Sequence, residues 1–77
     1  VYPNPTHGKF MVDMALVEKQ NVVMTIISSS GQVVRKYKFD DVEKLRESID
    51  LSGMAEGLYN LRINAGDKYY TRQIVVR

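Results

Sequence analysis

The side chains that could carry acid, base or metal chemistry are few. His7 is the one histidine and there is no cysteine, so a nucleophilic triad would have to join His7 to one of the serines and an aspartate. No spacing supports that, and His7 follows two prolines in a turn, where an imidazole is ordinarily solvated. Asp40 and Asp41 are adjacent carboxylates, but neighbours in a charged loop point apart, which does not suit paired acid–base work. Zinc lacks its thiol and imidazole ligands, no D-x-[DN]-x-[DN]-G loop is present for calcium, and no glycine-rich run would cradle a phosphate. The residues therefore describe a non-catalytic chain without cofactor or metal.

The five tyrosines could form a stacking surface for sugars or bases. Their parity argues against it: Tyr37 and Tyr59 fall with inward-facing neighbours, and only Tyr69 or Tyr70 can face outward on the last strand. Eleven basic and nine acidic side chains, net charge +2, are dispersed along 77 residues. That is too thin a field for nucleic-acid binding. No run approaches the 18 apolar residues of a membrane span, and no basic start precedes an apolar stretch as in a signal peptide. The chain opens on Val1, which reads as one domain cut from something longer, with any targeting segment upstream.

The elements follow from alternation and punctuation. Pro3 and Pro5 impose an extended backbone that then turns at Gly8. Phe10, Val12, Met14 and Leu16 share one face of a strand, and after the polar turn Glu18-Lys19-Gln20-Asn21 a second strand runs from Val22 to Ile27. Ser28-Ser29-Ser30-Gly31 turns the chain into a third strand from Gln32 to Phe39, with Lys36 and Lys38 outward as on an edge. From Asp40 to Glu47 a single helical turn or a charged loop is expected, Asp40 and Glu43 resembling a capping box. A short strand at Ser48-Ile49-Asp50-Leu51 leads to a two-glycine connection in which Met54 plugs the core. The strand from Leu58 to Asn64 places Tyr59, Leu61 and Ile63 inward, and a hairpin at Asn64-Ala65-Gly66-Asp67 returns the closing run from Lys68 to Arg77. With a short edge piece at Val1 to Pro3, the count is about seven strands in an antiparallel sandwich. Tyr59, just after a glycine turn, is placed like the tyrosine corner of immunoglobulin-like sandwiches, whose hydroxyl reaches back to upstream backbone.

Four segments, in order across the whole chain, carry a family resemblance. They are Tyr2-Pro3-Asn4-Pro5-Thr6-His7-Gly8-Lys9-Phe10; Ser28-Ser29-Ser30-Gly31-Gln32-Val33-Val34; Ile49-Asp50-Leu51-Ser52-Gly53-Met54-Ala55-Glu56-Gly57-Leu58-Tyr59; and Thr71-Arg72-Gln73-Ile74-Val75-Val76-Arg77. Together they resemble the type A C-terminal sorting domain of cargo proteins of the type IX secretion system of Bacteroidetes. Each segment alone is weak, and four in order are specific. The chain departs from the pattern at Ile27 and Ser28 before the middle turn, and at Gln73 where a second lysine is usual.

The resemblance implies an immunoglobulin-like sandwich of seven strands acting as a non-catalytic address label. It implies a parent with an upstream signal peptide, transit through the periplasm, and delivery across the outer membrane to the surface or medium. Implied partners are the translocon, an outer-membrane shuttle protein and a sortase-like peptidase that cuts upstream of Val1. The expected recognition residues are Pro3, Asn4, Pro5, Gly8, Gly31, Gly57, Tyr59, Arg72, Ile74, Val75, Val76 and Arg77. Among them Arg72 and Arg77 would supply charge, and Ile74 to Val76 strand pairing or apolar contact. Pro3, Pro5 and Gly8 serve either as the opening turn or as direct contacts, and Gly31 and Gly57 serve backbone conformation. A weak edge-to-edge dimer is left open. The alternative function is an immunoglobulin-like accessory or adhesion module of a surface enzyme, binding glycan or protein through an exposed aromatic cluster.

Overall fold

The computed structural model describes Tyr2 and residues 6–77; the expectations for Val1, Pro3, Asn4 and Pro5 lie outside the described residues. The chain is all-β, with β1 (Lys9–Ser28), β2 (Val33–Asp50), β3 (Gly57–Ala65) and β4 (Lys68–Val76). They form one antiparallel sheet in the order β2-β1-β3-β4.

β1 is too long to be straight. Twenty residues extended at about 3.3 Å each would span about 66 Å, whereas the longest dimension of the molecule is 35 Å. The bend falls where the ladder with β2 loses register, between Ala15 and Gln20 and again between Gln20 and Val22. Before it, residues 9–15 pair with residues 44–50; after it, residues 22–27 pair with residues 33–39 and, on the other side, with β3. β2 bends alongside at Asp41, the one non-glycine residue with positive φ among the described residues (55°), whose N–H donates to Asn21 Oδ1 at 2.9 Å.

The doubled-over hairpin makes the core. Phe10, Val12, Leu45 and Ile49 of the first arm and Val22, Met24, Ile26, Leu61, Ile63 and Ile74 of the remaining sheet belong to one buried cluster, several fully inaccessible to solvent. A sheet face can be buried only by another layer, and among the described residues that layer is the sheet's own folded arm. Met54 packs against this cluster from the connection before β3, as its position predicts.

Two expectations need correction. The seven-stranded count becomes four strands among the described residues, because the backbone runs as strand through both the polar segment 18–21 and the charged segment 40–47. No helical turn or loop forms at 40–47. Pairing of Val42 and residues 44–47 with β1 holds that segment extended, and the even spacing of Leu45 and Ile49 puts both on the core face. Elsewhere the alternation holds: Tyr59, Leu61 and Ile63 face the core. The last hairpin closes through Gly66 and Asp67, with Ala65 opposite Lys68.

Candidate interaction surface

Bending β1 brings the four sequence segments to one pole of the molecule. Thr6 N–H donates to the Val75 carbonyl at 2.8 Å and Arg77 N–H to the Thr6 carbonyl at 2.8 Å, a parallel bridge between the start and the end of the chain. His7 Nδ1 lies 3.3 Å from the Arg77 carbonyl. Gly8 joins the third segment: Leu51 N–H donates to its carbonyl at 2.6 Å. A Cβ there would stand 2.8 Å from Ser52 N, and its φ is +120°. Gly57 pairs with Val76, and Ser28, at the head of the middle turn, pairs with Tyr59. The opposite pole carries the bends at 16–21 and 40–43 and the 65–68 hairpin.

Each contact has a local cause. Thr6 is buried; its hydroxyl donates to the Lys9 carbonyl at 2.6 Å and accepts from Gly8 N–H at 3.1 Å, a side-chain turn that delivers the chain into β1. Asp50 Oδ1 accepts from Ser52 N–H at 2.8 Å and from the Ser52 hydroxyl. Those bonds, the hydroxyl's foremost, hold the Asp50 carboxyl below the usual carboxylate range. The Tyr59 hydroxyl donates to the Ala55 carbonyl at 2.6 Å, the backward reach expected of a tyrosine corner. Ser28, Gly31 and Gln32 close the middle turn through Gly31 N–H to the Ser28 carbonyl at 2.9 Å and Ser28 N–H to the Gln32 carbonyl at 2.8 Å.

The expected recognition residues divide into two kinds. Ile74, Val76 and Tyr59 are buried, so these side chains seat β4 and β3 in the core rather than face a partner. The Val75 carbonyl is taken by Thr6, while Arg77 and the Gly31 turn are exposed at the pole. Arg72 is exposed elsewhere. It lines a groove of about 270 Å³ with Val12, Asp13, Met14, Ala15, Ile63 and Tyr70, and donates to the Thr71 carbonyl at 2.8 Å. Five residues along a strand separate Arg72 from Arg77 by about 16 Å, so one small anion does not meet both. Thr6, Asp50 and Ser52 are the residues that sequence reasoning missed. The signals were present: a Thr two residues before a Gly, and Asp-x-Ser, both of which close turns onto backbone N–H groups.

A family model described as a secretion system C-terminal sorting domain matches residues 1–77, the full length given. No curated protein and no solved structure matches the chain.

Proposed function

Because the chain belongs to the family of type IX secretion C-terminal sorting domains, we propose that it is the non-catalytic C-terminal address label of a longer cargo protein. The family places it in transit to the cell surface or medium, in contact with the secretion machinery. In the proposed sequence of events, an upstream signal peptide brings the parent to the periplasm. The folded domain is then taken up by an outer-membrane shuttle protein and the translocon, and a sortase-like peptidase removes it by cutting before Val1.

One observation carries this reading: four segments scattered along the chain meet at one pole, tied by the Thr6–Val75–Arg77 bridge and the Gly8–Leu51 bond. A machine that exports unrelated cargos must read something the domain itself carries, and a pole assembled from both chain ends exists only in the folded domain. The adhesion alternative needs an exposed aromatic cluster. Tyr69 and Tyr70, both exposed, are consecutive on β4 and point to opposite faces, so no observation favours it.

The test is to append residues 1–77 to a periplasmic reporter in a cell with type IX secretion. The reading expects the reporter outside the cell; retention of a folded fusion in the periplasm contradicts it.

A further inference from the structure

The open edge of β1's first arm points to its own occupant. Tyr2 forms an antiparallel bridge with Met11, Tyr2 N–H donating to the Met11 carbonyl at 3.1 Å and Met11 N–H to the Tyr2 carbonyl at 2.8 Å. Met11 thus turns both backbone groups away from β2. By the alternation of an antiparallel ladder, Asp13 and Ala15 do the same, while Val12 and Met14 bond to β2. Among the described residues no strand pairs with Asp13 or Ala15 on that side. An uncovered strand edge invites pairing, and beside this one lies the groove between β1 and β4.

We propose that the parent residues immediately before Val1 add a short strand to this edge and fill that groove. The inference rests on the reading of the chain as the end of a longer protein. In the register of Tyr2 and Met11, each step upstream moves one residue down β1. The residue just before Val1 then falls opposite Asp13 and the third before it opposite Ala15, where the loss of register in β1 ends the pairing. The second residue before Val1 faces inward opposite Met14. It enters a groove floored by Val12, Met14 and Ile63 with Tyr70 and Arg72 at its rim, a lining that takes an apolar side chain. The cargo then leaves the domain at the bend pole, opposite the pole where the four segments meet.

Hydrogen exchange on the full parent protein tests this. The Asp13 and Ala15 amides are expected to exchange about tenfold or more slowly compared with a parent whose three residues before Val1 are replaced by prolines, whose missing N–H groups and fixed φ of about −65° break the added strand and withdraw the carbonyls those amides donate to. Val12 and Met14 should exchange alike in both. Fast exchange at Asp13 and Ala15 in the unsubstituted parent overturns the proposal, as does protection that survives the prolines. Protection lost on dilution assigns the edge to a second copy and overturns it too. Any of these results leaves export of the reporter unaffected as evidence for the address-label function, whereas a parent with no residues before Val1 removes both.

Discussion

Replacing Gly8 by alanine should cost more than any other single-methyl change at the pole. Its φ of +120° is one that residues with a Cβ rarely adopt, a strain of about 1–3 kcal/mol. The added Cβ would stand 2.8 Å from Ser52 N and 2.9 Å from Ser52 Cα. Both are backbone atoms held by the Leu51–Gly8 hydrogen bond and the Asp50–Ser52 turn, so relief requires breaking that seam, at about 1–3 kcal/mol for an overpacked contact. Together, about 2–6 kcal/mol is a large part of the roughly 4–12 kcal/mol expected for a domain of this size. Gly31→Ala is the control. Its φ is +89° but nothing lies within 4 Å of its Cβ position, so only strain of about 1–2 kcal/mol applies. Urea unfolding of both variants, followed by far-ultraviolet circular dichroism, measures the difference. If Gly8→Ala proves no less stable than Gly31→Ala, the steric argument for the Gly8–Ser52 seam fails.

Three further outcomes follow from individual bonds. Thr6→Val keeps the shape but leaves the buried Gly8 N–H without the Thr6 hydroxyl, and should lose about 1–3 kcal/mol in the same unfolding experiment; no loss would mean that the turn does not depend on that hydroxyl. Tyr59→Phe removes only the bond to the Ala55 carbonyl and should lose about 1 kcal/mol while keeping the sheet's dichroism. Asp50 has a folded-state pKa below its ordinary value of about 3.9, so its contribution is present above that value and is lost as pH falls through the folded one. Asp50→Asn should therefore be less stable than the parent sequence at neutral pH, with the gap closing in strong acid; a gap unchanged by pH contradicts the assignment.

What could be read in advance was whatever depends on local period. The alternation at Tyr59, Leu61 and Ile63 located β3 and its core face, and the glycine before Tyr59 marked its hydroxyl as reaching backward. The bends were not legible, because nothing local distinguishes a strand that curves through Glu18-Lys19-Gln20-Asn21 from one that stops there. Closure of Phe10 and Val12 over Met24 and Ile26 decides it, and that contact is tertiary. The same holds for residues 40–47, where helical spacing of Val42, Leu45 and Ile49 competed with strand spacing until pairing with β1 selected the latter. At the site, the terminal aliphatic run signalled its importance but not its direction. Only the register of β4 against β3 shows Ile74 and Val76 turned into the core and Arg72 set apart from Arg77. That burial also makes deletion of the last five residues a poor test of recognition, since it removes two core side chains along with the exposed ones.

A charge reversal that spares the core is the more direct measurement. Arg77→Glu alters an exposed side chain at the pole where the four segments meet, and Lys68→Glu alters an exposed one at the bend pole. Each is fused to the periplasmic reporter, and circular dichroism confirms that each folds as the unsubstituted domain does. The account predicts that Arg77→Glu holds the reporter in the periplasm while Lys68→Glu is exported normally. Equal export of the two folded variants would contradict the claim that the secretion machinery reads this pole.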